Sequence, residues 1–110
     1  MAGKFECYKD KAGEFRFRLK AGNGEAILAS EGYKAKSSCT NGIASVQKNC
    51  LDDKCFEKTT TKNGGFRFNL KSSNGQVIGT SETYTSESGR DNGIGSVQRS
   101  APGASIDDQT

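Results

Sequence analysis

The stretch GEFRFRLKAGNGEAILASEGY, residues 13–33, recurs as GGFRFNLKSSNGQVIGTSETY, residues 64–84. The match extends in both directions without a gap, so that residues 5–49 align with residues 56–100, and 22 of these 45 aligned positions are identical. A repeat of this length indicates a supersecondary unit that is written twice. The tail, residues 104–110, aligns with the start of the second copy, so the chain carries two units and the first strand of a third.

Each unit predicts a three-stranded meander. FRFRLK, residues 15–20, alternates apolar and basic side chains, which is typical of a strand buried on one face. FECYKDK before it and EAILASE after it predict the neighbouring strands. Asn23-Gly24 predicts a two-residue hairpin of type I′, because both central residues of that turn need positive φ, and Asn74-Gly75 predicts the same turn in the second copy.

A helix is predicted to follow each meander, over about residues 36–49 and 87–100, where apolar residues recur at helical spacing. Ser37 is predicted to cap the first helix, and Ser86 or Ser88 the second.

A glycine lies inside each predicted helix, at Gly42 and Gly93, although glycine costs a helix about 1 kcal/mol relative to alanine. Close packing against the sheet or against the other helix explains these glycines better than the approach of a ligand does.

One meander with one helix is too small to be stable alone, so the two units are expected to share a sheet. We predict an α+β fold: two tandem β3-α repeats form one antiparallel sheet, with two helices on one face and internal pseudo-two-fold symmetry. Residues 1–110 form a single intertwined domain, in which repeat one spans 5–49, repeat two spans 56–100 and an extra C-terminal strand spans 104–110.

Composition excludes several classes of function. The 110 residues carry a net charge of +3, four cysteines and no histidine. The absence of histidine removes His-based acid–base catalysis and mixed Cys/His metal sites. No apolar run is long enough to span a membrane, and MAGKFECYKDK at the start has no apolar h-region, so we expect no secretory signal, a cytoplasmic location and free thiols.

Three motifs occur twice: F-x-F-x-L-K, then N-G-x-x-I-x-x-S-E-x-Y, then N-G-I-x-S-V. Over residues 2–110 this pattern resembles the YegP-like family of small uncharacterised bacterial proteins. The resemblance implies C-terminal strands that are swapped between the units and both helices on one face. It implies no established activity, so no catalytic residue is carried over. This chain departs from the family pattern at Cys50-Leu51, where Ala-Pro is common, and at Ala35, where Ser is common, and the second departure weakens the first helix cap.

The basic residues of the second strand in each repeat are the candidate ligand-binding residues. If the apolar residues of FRFRLK face the helices, its cations face the other way, onto an open face of the sheet. The candidates are Arg16, Arg18, Lys20, Arg67 and Lys71. Such a face fits a nucleic acid or another polyanion, but single-strand binding sheets also expose stacking aromatics. An ordinary solvated face is the favoured interpretation.

Ser30-Glu31-x-Tyr33 recurs as Ser81-Glu82-x-Tyr84. Two carboxylates at symmetric positions could act as acid and base. We favour a structural role, in which Glu31 and Glu82 pair with cross-strand cations and the tyrosines pack over the start of each helix.

The cysteines do not follow the repeat, which excludes a duplicated metal site. Cys7, Cys39, Cys50 and Cys55 align with Lys58, Arg90, Ala101 and Ile106. No C-x2-C pair exists, so small buried hydrophobic residues are a better interpretation than a zinc site.

These observations predict a non-enzymatic binding or accessory module that acts through a sheet face or a sheet edge, with no cofactor, no metal and no membrane contact. The sequence does not identify the partner, for which a protein and a weakly bound nucleic acid are the two candidates, and the chain is expected to be a monomer. The alternative is weak nucleic-acid binding on the basic face. An enzyme that uses Glu31 and Glu82 ranks third.

Overall fold

The computed structural model describes residues 3–110, in which both repeats form the predicted elements. Repeat one consists of β1 (Lys4–Lys9), β2 (Phe15–Lys20), β3 (Ala26–Ala29) and α1 (Lys36–Asn49). A 3-10 turn (Asp53–Cys55) leads into repeat two, which consists of β4 (Phe56–Thr60), β5 (Phe66–Lys71), β6 (Val77–Thr80) and α2 (Glu87–Ser100). The last strand is β7 (Ser105–Asp108).

The seven strands form one sheet in the order β4-β5-β6-β3-β2-β1-β7. The repeats meet at its centre, where β3 and β6 run antiparallel and pair at Ala29 and Thr80. The predicted α+β fold with tandem repeats is confirmed. The sheet is mixed rather than antiparallel throughout, because β7 runs parallel to β1. The chain leaves α2 beside the start of β1, where the Gly3 N–H donates to the Ser100 carbonyl at 3.1 Å, and so β7 sets out in the direction of β1.

The core lies between the sheet and the two helices. Phe17 and Leu19 of β2 and Phe68 and Leu70 of β5 are completely buried there, as the alternating pattern predicts. Each helix contacts strands of both repeats, so neither repeat has a separate core. In the described part of the chain, no helix has the length and hydropathy needed to cross a bilayer.

The hairpins at the two Asn-Gly pairs form as predicted, but the predicted type I′ turn is wrong. Among the described residues only glycines have positive φ, including Gly24 at 87° and Gly75 at 88°. The Gly24 N–H donates to the Ala21 carbonyl at 2.9 Å, and pairing between β2 and β3 shifts at Lys20. The connection is therefore a longer loop that needs one left-handed glycine, and the asparagine stays at negative φ.

The two helices start differently. The Ser86 Oγ accepts the Gly89 N–H at 3.0 Å and caps α2, as predicted. In α1 the N-cap position is Ala35, which makes no side-chain capping bond within residues 3–110. The prediction that Ser37 caps α1 is wrong, because Ser37 already lies in the first helical turn.

Replacing Ala35 by serine is expected to stabilise the protein by about 1 kcal/mol. The backbone at this position is already extended, with φ −120° and ψ 142°, so a serine hydroxyl can accept the Ser38 N–H as Ser86 accepts that of Gly89. Urea unfolding of A35S measures the gain. The matched variant S86A removes the existing cap and is expected to lose a similar amount, and equal stability of all three proteins would contradict the capping argument.

The helix glycines allow a tyrosine to lie across each helix, so the predicted close packing is confirmed. A Cβ on Gly42 would lie 2.9 Å from the Oη of Tyr33, and a Cβ on Gly93 would lie 2.4 Å from the Oη of Tyr84. The two tyrosine rings stack on Phe17 and Phe68, respectively.

Candidate functional site

The predicted basic face exists, but in repeat one a buried carboxylate occupies its centre. Glu6 of β1 is 5% exposed and accepts from the Nε of Arg18 at 2.6 Å. The Nζ of Lys20 lies 3.3 Å from the same carboxylate, and that of Lys4 lies 3.6 Å away. The Arg18 hydrogen bond, followed by that of Lys20, lowers the pKa of Glu6 to about 2, although burial opposes this shift. Arg18 also lies over the ring of Tyr8, 4.5 Å from its centroid.

The other predicted cations are also held by neighbouring side chains. The Nε of Arg16 donates to Asp10 at 2.7 Å, and the Nζ of Lys71 lies 2.9 Å from Glu57. Arg67 differs, because its Nε donates to the hydroxyl of Thr83 at 2.8 Å and no carboxylate of residues 3–110 lies within ion-pair distance of it. Most of the positive charge on this face is therefore compensated within the protein, and polyanion binding there stays a prediction.

The carboxylates of the basic face are not among the predicted site residues, although the sequence carries a signal for them. Glu6 and Tyr8 alternate along β1, and the antiparallel register places them opposite Arg18 and Arg16. Opposite charges at directly paired positions form the usual cross-strand ion pairs. The register could have been derived from the turn that joins β1 to β2.

The predicted ion pairs of Glu31 and Glu82 do not form. Neither carboxylate has a cationic partner among the described residues, because each side chain leaves the end of its strand towards solvent. The strands β3 and β6 run antiparallel through the Ala29–Thr80 pair, so the two glutamates lie beyond that pair in opposite directions. This arrangement provides no shared acid–base site.

The serines explain why the Ser-Glu-x-Tyr motif recurs. The buried Ser30 Oγ accepts the Phe17 N–H at 2.9 Å and donates to the Glu31 carbonyl at 2.8 Å. Ser81 makes the same two bonds in repeat two, to Phe68 and Glu82. The motif thus has a structural role: its serine fixes the backbone where the third strand of each repeat ends.

The cysteines lie where small hydrophobic residues would. Cys7, Cys39 and Cys50 are buried and Cys55 is half-buried, and all four are free thiols. The Sγ atoms of Cys7 and Cys39 lie 3.6 Å apart between β1 and α1. Burial, followed by the contact with Cys7, raises the pKa of Cys39 to about 12. Within residues 3–110 no three metal-binding side chains converge.

The equivalent strands β1 and β4 differ in whether a further strand pairs with their outer edge. In repeat one β7 pairs with β1, with Ile106 opposite Phe5 and Asp108 opposite Cys7. The Gln109 N–H continues this pairing with a 2.8 Å bond to the Cys7 carbonyl. In repeat two β4 pairs with β5 only, and the described chain places no strand on its other side.

The free edge of β4 borders an open groove. A cavity of about 360 Å³ lies between β4 and α2 and is lined by Phe56, Ile94 and three charged side chains, Asp53, Lys58 and Asp91. Phe56 is only partly buried, whereas its counterpart Phe5 is completely buried. This groove and the edge of β4 together form what we call the β4 edge site.

Comparison with known proteins identifies similar sequences but no activity. A family model described as a domain of unknown function (DUF1508) matches residues 10–57 and again residues 61–108. A UPF0339 protein from the ptx operon 5′ region of Stutzerimonas stutzeri is 59% identical over 106 residues and covers 96% of each chain. The UPF0339 protein YegP of Escherichia coli is 47% identical and covers 100% of each chain.

Solved structures show the same fold. The solution structure of Escherichia coli YegP, described as a protein of unknown function, superimposes with a TM-score of 0.95 at 47% identity and covers 100% of this chain and 95% of that one. A UPF0339 protein of Shewanella oneidensis gives a TM-score of 0.93 at 47% identity, with 98% and 92% covered. None of these descriptions names a ligand, so only the residues of the chain indicate what it could bind.

Proposed function

Since this chain belongs to the DUF1508 family of uncharacterised UPF0339 proteins, we propose that it is a non-enzymatic binding module that takes up an extended protein segment at the β4 edge site. One observation carries the proposal: β1 has a neighbouring strand on each side, whereas residues 3–110 place a strand on only one side of its counterpart β4. Peptides commonly add a strand to such an edge, where backbone hydrogen bonds provide affinity and alternate side chains provide specificity.

The contact of β7 with β1 is a template for the bound segment. It predicts a parallel strand that pairs with residues 55–58, which align with residues 4–7. The carbonyl of Lys58 corresponds to that of Cys7, which accepts a backbone N–H in repeat one. An apolar side chain of the segment would fill the groove beside Phe56 and Ile94.

Charge distinguishes this segment from β7. In repeat one Asp108 of β7 is paired with Lys36 at the start of α1. The residue of α2 that aligns with Lys36 is Glu87, and Asp53 adds a second carboxylate near the groove. Asp91 is already paired with Lys58, at 3.2 Å. A segment with a basic residue where β7 has Asp108 therefore suits the β4 edge site, whereas a second copy of β7 does not.

Monomeric behaviour and a cytoplasmic location are parts of the same proposal. The charge inversion between Lys36 and Glu87 opposes docking of one chain's β7 on another chain's β4. The four free thiols support a reducing compartment. Turnover of a substrate by the purified protein would refute the non-enzymatic part of the proposal.

Titration of labelled protein with three seven-residue peptides tests the β4 edge site. The peptides are the chain's own tail, ASIDDQT, its basic form ASIKKQT, and ASIKKQT with N-methylated backbone amides. The basic peptide is expected to shift the amide resonances of Phe56 and Lys58, with a dissociation constant of about 1 mM. The acidic peptide should bind at least about fivefold more weakly, and the methylated peptide should not bind because its edge hydrogen bonds are blocked.

The variant Glu87→Lys is the matched control, because it gives α2 the cation that α1 has at Lys36. It is expected to reverse the preference between the two charged peptides. Shifts confined to other strands, or equal binding of the methylated peptide, would contradict strand addition. Concentration-dependent shifts of β4 without any peptide would identify a second copy as the occupant and would overturn the proposed partner.

A further inference from the structure

In the turn between β1 and β2, both oxygens of the Asp10 carboxylate are hydrogen-bonded within the chain. The Oδ1 of Asp10 accepts the backbone N–H groups of Ala12 and Glu14, each at 2.9 Å. Its Oδ2 accepts the Nε of Arg16 at 2.7 Å. The Arg16 bond, followed by the backbone bonds, lowers the pKa of Asp10 below its usual range. One carboxylate is therefore held by a guanidinium and two backbone donors.

Repeat two keeps the arginine of this arrangement and loses the carboxylate. Arg67 aligns with Arg16, but Thr61 stands in place of Asp10. The Thr61 Oγ1 accepts one backbone N–H, that of Gly65, at 2.9 Å. The N–H of Asn63, which aligns with Ala12, does not have the acceptor that Asp10 provides in repeat one. The Gly65 N–H and the Arg67 Nε thus donate to threonine hydroxyls, and the charged acceptor of repeat one is missing.

Space for a ligand accompanies this loss. A cavity of about 480 Å³ opens at the turn of repeat two, and its lining includes Thr61, Asn63, Gly65, Arg67, Thr83 and Thr85. In repeat one the corresponding space holds the side chain of Glu14, whose Oε1 would lie 2.3 Å from a Cβ on Gly32. Repeat two has Gly65 in place of Glu14, and it has Thr83, whose side chain is smaller than that of Glu14, in place of Gly32. The Thr83 methyl, which would lie 2.4 Å from a Cβ on Gly65, fills only part of this space. The described residues that line the cavity include no acidic side chain.

We propose that this cavity binds the carboxylate group of a small organic acid, which takes the place that Asp10 occupies in repeat one. Arg67 would hold the carboxylate through its guanidinium, a group whose fork geometry matches two carboxylate oxygens. The N–H of Asn63 and the threonine hydroxyls supply further donors. The Thr83 hydroxyl accepts from Arg67, which leaves its own proton free to donate to the ligand. This inference does not depend on the β4 edge site.

Titration with sodium acetate, against sodium chloride at equal ionic strength, tests the proposal. Acetate is expected to cause saturable shifts of the Asn63 and Gly65 amides and of the Arg67 Nε–H, with a dissociation constant of about 10 mM or below. Chloride should cause no saturable shift, because it is a single atom and cannot replace the two coplanar oxygens of a carboxylate such as that of Asp10. These resonances differ from those of Phe56 and Lys58, so the results for the two sites can be distinguished.

Thr61→Asp is the decisive variant, because it builds the Asp10–Arg16 arrangement into repeat two. It is expected to weaken acetate binding at least about tenfold while the fold stays intact. Arg67→Ser should also lose binding, whereas the matched variant Arg16→Ser in repeat one should keep it. Acetate binding that survives both Thr61→Asp and Arg67→Ser would overturn the proposal, as would the absence of saturation by about 100 mM acetate. Saturation by inorganic phosphate but not by acetate would overturn the carboxylate assignment.

Discussion

Replacing Gly93 by alanine is expected to destabilise the protein by about 3 kcal/mol. Alanine is the better helix former by about 1 kcal/mol, so propensity alone predicts a gain. The added Cβ, however, would lie 2.4 Å from the Oη and 2.7 Å from the Cζ of Tyr84. That ring is fixed, because it stacks on Phe68 and because the Tyr84 backbone forms two bonds, of 2.7 and 2.8 Å, with Phe66. Overpacking therefore outweighs propensity, and chemical unfolding of G93A measures the loss.

Gly95 provides the matched control on the same helix. A Cβ there would meet only the flexible end of Arg99, at 3.0 Å, so G95A is expected to be neutral or to stabilise by up to about 1 kcal/mol. Adding Tyr84→Phe to G93A removes the nearest atom of the clash and should recover about 1 kcal/mol. A G93A protein as stable as G95A would show that Tyr84 can move aside, contrary to this argument.

The sequence predicts the elements of this fold because their signals are local and occur twice. The alternation in FRFRLK and the helical spacing of Ile43 and Val46 each depend on neighbouring residues only, and the second copy repeats both. The helices span 36–49 and 87–100 in the structure, in agreement with the prediction. The close packing at Gly42 and Gly93 is also predictable. Glycine disfavours a helix, so its presence at the same helix position in both repeats indicates that a larger side chain would not fit.

Features that depend on how distant segments meet were not predictable in the same way. The parallel direction of β7 depends on where α2 ends relative to β1. The predicted turn type at Asn23-Gly24 is wrong because this dipeptide occurs both in a two-residue type I′ turn and in a longer loop. The register shift at Lys20 selects the longer loop. The partners of the basic face depend on the cross-strand register, which places Glu6 opposite Arg18. Residue types alone show the cations but not their neutralisation.

Both candidate sites lie where the repeats differ, which has a physical reason. Positions that are identical in the two copies, such as Phe17 and Phe68, build the shared core and turns. Asp10 is replaced by Thr61, and Lys36 is replaced by Glu87. In repeat one Asp10 pairs with Arg16, and Lys36 pairs with Asp108. Because of the two changes, neither ion pair has a counterpart in repeat two. A duplicated scaffold can therefore keep one copy for stability and present the other copy to a ligand.

Glu6→Gln is expected to destabilise the protein by about 2 kcal/mol at pH 7, since it removes the charged acceptor of a nearly buried hydrogen-bond network. The amide can still accept one hydrogen bond, but Arg18 and Lys20 would then lie close together without a counter-charge. Lys4 would keep a longer contact with Asp107, at 3.8 Å. Glu57 is the matched control, because it occupies the same position in repeat two with a more exposed side chain and one cationic partner, Lys71. Glu57→Gln should therefore cost much less.

The pH dependence of the Glu6→Gln effect separates charge from packing. The pKa of Glu6 is about 2 in the folded protein and has a usual value of 4.5, so on acidification the unfolded chain takes up the proton first. The stabilisation by the carboxylate is therefore fully present above about pH 4.5 and is lost as the pH falls towards about 2. The difference in unfolding free energy between the wild type and Glu6→Gln should shrink over this interval. A difference that stays constant from pH 7 to pH 2.5 would mean that Glu6 stabilises the protein by its shape and not by its charge.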